Sequence, residues 1–92
     1  MIGLTPDITH VAVPRYGTLR LTFADGLAGD VDVLDRMQGP VFDYVRTPKG
    51  FAEVRVDPEL GTVCWPNGAD LAPDTLYERI RTGVWPGSSR AA

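Results

Sequence analysis

A small α+β fold is predicted by three features of this sequence: two stretches of alternating apolar and polar residues around compact turns, a third such stretch just upstream, and one amphipathic segment near the C-terminus. Together they describe a small antiparallel sheet of about five strands, built from two hairpins with the first extended to a three-stranded meander. One C-terminal helix packs on that sheet, and a short helix falls in the 34–46 region.

The first hairpin is "TLRLTFADGLAGDVDV", where Leu19, Leu21 and Phe23 alternate with Thr18, Arg20 and Thr22 up to Asp25-Gly26. A slip of one residue sends every side chain of a strand to the other face, so the apolar pattern selects the loop length. A two-residue loop fails, because it sets Phe23 against Ala28 and Leu21 against Asp30. A three-residue loop, Ala24-Asp25-Gly26, with the glycine left-handed after a type I turn, sets Phe23 against Leu27, Leu21 against Gly29 and Leu19 against Val31. The same register places Arg20 opposite Asp30 on the outer face. Upstream, "ITHVAV" reads as a strand that a loop over Pro14 to Thr18 folds back, with Val13 opposite Leu19 and Val11 opposite Leu21.

After the meander, Leu34 to Met37 suits a helical turn, and Val41, Phe42 and Val45 share one side of a short helix that follows Gly39-Pro40. Thr47-Pro48-Lys49-Gly50 supplies turn residues that end it. The second hairpin, "EVRVDPELGTVCW", takes a four-residue loop from Pro58 to Gly61, which pairs Val56 with Val63 and Val54 with Trp65. A helix over 73–82 follows, with Pro73 at its first position, Asp74 at the positive end of its dipole, and Leu76, Tyr77 and Ile80 on one face before Gly83. The domain is therefore expected to cover 1–83, with 84–92 as a flexible C-terminal tail from which Trp85 is placed to dock back onto the sheet.

Ninety-two residues fill one domain. A chain of this mass buries about 64% of its unfolded surface, enough for a modest core. Acids outnumber bases twelve to nine, the net charge is −3, and the arginines are dispersed, which argues against nucleic-acid binding by this chain on its own. One cysteine forms no internal disulfide, no charged leader opens the chain, and no apolar run approaches the ~18 residues of a membrane span. A cytoplasmic protein with no membrane segment is expected.

Catalytic chemistry is hard to assemble from these residues. His10 and Cys64 are the single histidine and cysteine, and nothing in their spacing makes them a nucleophile pair or a zinc site. Asp25, Asp30, Asp32 and Asp35 form an acidic run, but Asp30 and Asp32 fall on one strand face as solvated neighbours rather than as cation ligands. No phosphate-cradling glycine loop occurs. No catalytic residue, metal or cofactor is assigned. The densest cluster of unusual residues is "CWPNGADL". Its conformational reading makes Trp65-Pro66 a strand end, Asn67-Gly68 a bend, and Asp70 an acceptor for backbone N–H groups at the bend or the helix start. Its functional reading takes Trp65, Asn67 and Asp70 as a polar and aromatic contact patch.

The segments "LTFADG", "DVDVLDRMQGPVFDYVRTPKGFAEVRVD" and above all "GTVCWPNGADLAPDTLY", in this order and spacing, resemble domain of unknown function 2442, a family of small bacterial proteins. The resemblance runs over residues 8 to 80. It implies a small α+β unit that is either fused to a helix-turn-helix segment or encoded alone beside another small protein in a toxin-antitoxin-like arrangement. Too few residues follow the expected helix for the fused form, and the family lends no catalytic residue. The expected function is a non-enzymatic protein–protein interaction module, the antitoxin-like or scaffolding member of a two-protein bacterial system whose partner is another small protein encoded nearby. The alternatives are a transcriptional regulator that touches nucleic acid within a complex, using Arg15, Arg79, Arg81 and Arg90, and a small enzyme with its site near "WPNGAD". Strand edges or the helix also offer contacts for a homodimer.

Overall fold

The computed structural model describes residues 5–85. Its first sheet contains β1 (Ile8–Arg15), β2 (Thr18–Phe23) and β3 (Ala28–Asp32) in that order, all antiparallel. The register of β2 on β3 is the one the apolar pattern selects, with Leu21 facing Gly29 and Leu19 facing Val31. At the loop, Phe23 N–H donates to Leu27 O at 2.8 Å, Gly26 N–H to Phe23 O at 2.9 Å and Leu27 N–H to the Asp25 carboxylate at 2.9 Å. Gly26 takes φ of +94°, the left-handed conformation that closes a three-residue loop. Leu19, Leu21, Phe23 and Val31 are all buried on the inner face.

On the other side of β2, Val11 faces Leu21 as expected, but the ladder slips by one residue between Ala12 and Arg15. Val13 and Pro14 together span the place opposite Leu19, so the strand continues to Arg15 and the turn tightens to Tyr16-Gly17. Proline has no N–H for the ladder, and a bulge is where a strand accommodates it.

The connection from β3 carries two 3-10 turns, Leu34–Arg36 and Pro40–Phe42, in the region expected to hold a short helix. A single α-turn, α1 (Pro48–Phe51), forms where the sequence reads as a terminator. Thr47 caps it by accepting the Gly50 N–H at 3.0 Å, and Pro48 occupies the first position, so the residues that look like a stop are a capped start.

The remaining strands, β4 (Arg55–Asp57) and β5 (Thr62–Cys64), form a separate two-stranded sheet, so the five strands divide into three and two. Val56 faces Val63 as expected. The ladder ends at Arg55 and Cys64, one step short of the expected Val54–Trp65 pair, because the N–H and C=O of Trp65 both turn the other way, toward Ala69 and Gly68. Ile8 N–H donates to Gly61 O at 3.0 Å and ties the two sheets together.

The C-terminal helix, α2 (Pro73–Thr82), begins at its proline and ends at Gly83, whose φ of +80° lets its N–H return to Arg79 O at 2.9 Å. It packs on β3, where Ile80 fills the space left by Gly29: a Cβ on that glycine would lie 2.9 Å from Ile80 Cγ2. Tyr77 meets Phe23 edge-on at 5.0 Å and donates its hydroxyl to Asp25 at 2.5 Å, fastening the helix to the first hairpin loop. Of the expected tail, Trp85 stacks against the guanidinium of Arg36 at 4.5 Å, with Arg79 at 5.7 Å, and residues 86–92 lie outside the described residues. A single core unites the inner face of the first sheet with Phe42, Val45, Phe51, Val63, Trp65 and Leu76.

Candidate functional site

The cluster singled out in the sequence folds as a second copy of the first hairpin loop. Trp65 N–H donates to Ala69 O at 2.9 Å, Gly68 N–H to Trp65 O at 2.9 Å, and Ala69 N–H to Asn67 Oδ1 at 3.1 Å, with Gly68 at φ +93°. Each bond has its counterpart in Phe23-Ala24-Asp25-Gly26-Leu27. The chain then returns alongside β5, where Cys64 faces Asp70 in an isolated bridge and the Thr62 hydroxyl donates to Leu71 O at 2.6 Å. Pro66 to Gly68 thus connect β5 to a short third partner rather than launching α2 directly. The shared signal is an aromatic residue, any residue, Asp or Asn, then Gly, at 23–26 and again at 65–68.

The three candidate residues of this loop have different fates. Trp65 is 1% exposed, lies against Phe51 at 6.0 Å and edge-on to Phe42 at 6.4 Å, and donates its indole N–H to Phe51 O at 3.0 Å. That bond satisfies the one polar group of the indole and clamps α1 onto β5. Asn67 is exposed, yet both ends of its amide serve the fold: Oδ1 closes the loop, and Nδ2 donates to Val41 O at 2.8 Å, pinning the 40–46 segment. Asp70 is exposed, and among the described residues its carboxylate accepts no hydrogen bond. The backbone N–H groups it was expected to bind are taken elsewhere: Asn67 holds Ala69 N–H, and the residue preceding α2 is Ala72, which has no side-chain cap.

Among the described residues, two clefts take no residue of this loop. One of about 280 Å³ is lined by Arg15, Tyr16, Thr18, Asp32, Leu34 and Asp35, and within it the Thr18 hydroxyl donates to Asp32 at 2.5 Å while Arg15 stands 3.8 Å from the same carboxylate. The other, about 160 Å³, lies between Arg36, Trp85 and the first turn of α2. Among the described residues no three of His, Cys, Asp and Glu converge on a point where a metal would sit. Cys64 is buried, and His10 is exposed beside the Thr9 hydroxyl.

The arginines are largely engaged. Arg81 pairs with Glu78, which raises its pKa, Arg79 faces Trp85, Arg15 approaches Asp32, and Arg90 lies outside the described residues. Arg20 forms a bidentate pair with Asp30 at 2.8 and 3.1 Å, which raises the guanidinium pKa and holds the carboxyl below the ordinary carboxylate range.

The sequence offers strand edges as contacts without saying which, and the structure singles out the outer edge of β3. The bonds Phe23 N–H to Leu27 O and Val33 N–H to Gly17 O fix the phase of the β2–β3 ladder at both ends. Antiparallel strands bond through alternate residues, so Gly29 and Val31 face β2, and the N–H and C=O groups of Ala28, Asp30 and Asp32 face outward. All three residues are exposed, and among the described residues no backbone group bonds them from that side. Half-exposed Tyr16 and Tyr44 are held by their hydroxyls, Tyr16 on Arg46 O and Tyr44 on Glu53 at 3.2 Å. Desolvation and then the Glu53 charge push the Tyr44 pKa up.

Among the described residues no helix is long and apolar enough to cross a membrane. No curated protein and no solved structure matches the chain. The loop pair, the short helical turns and the C-terminal helix all lie within residues 11–82, the span matched by the family described as "Protein of unknown function (DUF2442)", and the chain belongs to that family.

Proposed function

We propose that this chain is a non-enzymatic protein–protein interaction module, the neutralising or scaffolding member of a two-protein system. The observation that carries this reading is the edge of β3, a row of outward N–H and C=O groups on three exposed residues with no backbone partner among the described residues. A strand edge with unpaired N–H and C=O groups is a template for strand addition. The internal use of Trp65 and Asn67 weighs toward interaction over catalysis. The engagement of Arg15, Arg79 and Arg81 weighs against a nucleic-acid surface built from them.

The experiment is co-expression with the protein encoded beside this chain, followed by affinity purification and a growth assay of that neighbour alone. The reading expects a stable complex, and relief of any growth defect when both are made. No complex, with a harmless neighbour, would overturn it.

A further inference from the structure

The side chains of the β3 edge select a kind of partner. On the outer face of the sheet, cross-strand rows run Ala12, Arg20, Asp30 and Arg15, Thr18, Asp32. Each row ends at the open edge on a carboxylate, and the next position in each belongs to whatever strand is added. Directly opposed residues on adjacent strands interact most strongly, with opposite charges favourable and like charges unfavourable. Asp30 already faces Arg20 through both oxygens, and an ionised carboxylate holding one guanidinium keeps further acceptor capacity.

Self-association by this edge meets its own charge. The outward residues are Ala28, Asp30 and Asp32, so a two-fold antiparallel pair with full overlap opposes Asp30 to Asp30, the register shifted toward the strand end opposes Asp30 to Asp32 twice, and only the register shifted the other way, with Ala28 opposite Asp30 twice, escapes direct like-charge opposition. A strand with Lys or Arg at alternate positions meets no such repulsion, and continues the Arg20–Asp30 row as cation, anion, cation.

We propose that β3 takes up a strand from a different protein, bearing alternate Lys or Arg side chains on the face shared with Asp30 and Asp32. This rests on the interaction-module reading and names the partner's chemistry at the same edge. The β2–β3 ladder is untouched by the addition, because the added strand uses only the outward groups of Ala28, Asp30 and Asp32. The outer polar face of the sheet thereby gains a fourth strand, and the acidic cleft residues Asp32 and Asp35 lie beside its end.

The test titrates the ¹⁵N-labelled chain with two blocked peptides, Thr-Lys-Val-Lys-Val-Lys-Thr and its counterpart with Glu for Lys. Expected are shifts at Ala28, Asp30 and Asp32, and amide exchange slowed about tenfold or more at those three, with the Lys peptide only. The double variant Asp30→Lys, Asp32→Lys should reverse the preference. Ala28→Pro, which removes one outward N–H while leaving the bonds to β2, should weaken binding by either peptide in its matching background. Equal response to both peptides, or a footprint away from β3, would overturn the inference. So would a dimer of the chain alone whose formation protects these amides. The two readings separate through the neighbouring gene product: a complex whose protected amides avoid β3 removes this inference and leaves the module, whereas no complex removes the module itself.

Discussion

Gly50 lies inside α1, where alanine would ordinarily stabilise a helix by about 1 kcal/mol over glycine. The structure reverses that sign. A Cβ built on Gly50 falls 2.1 Å from the backbone oxygen of Tyr44 and 2.8 Å from its carbonyl carbon. That oxygen is not free to move, since it accepts both the Thr47 hydroxyl at 2.7 Å and the Thr47 N–H at 3.2 Å. Relief of the clash requires a backbone shift of about 1 Å where the turn meets buried Gly50, and overpacking of this kind costs roughly 1–3 kcal/mol, occasionally more. The two bonds to the Tyr44 oxygen are strained by the same shift, at about 1 kcal/mol each if lost. Gly50→Ala is thus expected to cost ~3 kcal/mol or more, out of the roughly 5–15 kcal/mol of a typical domain. Urea unfolding followed by tryptophan fluorescence measures it, with a midpoint fall of ~1–3 M at ordinary slopes. A variant as stable as the parent, or more stable, would show that the Tyr44–Thr47 turn does not sit this close to α1.

The two hairpin loops make a matched pair: at Gly26 and Gly68 an added Cβ meets nothing within 4 Å, so alanine at either pays only the left-handed conformation, about 1–2 kcal/mol. Equal losses in urea midpoint are expected, and a much larger loss at one would show that the loops differ. Trp65→Ala should cost roughly 3–5 kcal/mol by emptying the core beside Phe42 and Phe51, and a near-neutral result would place that side chain outside the core. The Tyr77 hydroxyl, then the Leu27 N–H, hold Asp25 below the ordinary carboxylate range. A lowered folded pKa means the contribution is full above the ordinary carboxylate range and lost as the pH falls through the lowered value. Asp25 chiefly raises the Tyr77 pKa, so that partner's contribution is full below the ordinary phenol range and lost as the pH rises through the raised value. Tyr77→Phe should therefore flatten the stability profile at both ends, and unchanged slopes would mean that the bond does not form in solution.

The register of the first hairpin was legible because three large apolar residues had to share a face, and the three-residue loop achieves that where the two-residue loop does not. The second three-residue loop escaped the same logic. Its returning residues, Ala69 to Leu71, are too few to alternate, and Pro66 reads as a strand end, so Asn67-Gly68 looked like a path to the helix rather than a hairpin. Thr47-Pro48 was ambiguous in the same way, since a cap followed by proline marks a helix start and a turn alike. The slip at Pro14 follows from a missing N–H, but where the ladder absorbs it depends on how Tyr16 and Gly17 turn. Of the candidate contact residues, Asn67 shows the limit most plainly. Its type suits a partner or a turn equally, and only the position of Val41 O, 26 residues away in sequence, decides how the amide is used.

Amide hydrogen exchange along β3, with and without the partner, reads whether this strand is the binding edge. In the free chain alternation is expected, with Gly29 and Val31 protected through Leu21 and Leu19, and with Ala28, Asp30 and Asp32 exchanging quickly. In the complex those three become protected and the alternation disappears. Uniform protection from Ala28 to Asp32 in the free chain, or fast exchange at the three outward amides in the complex, would contradict it.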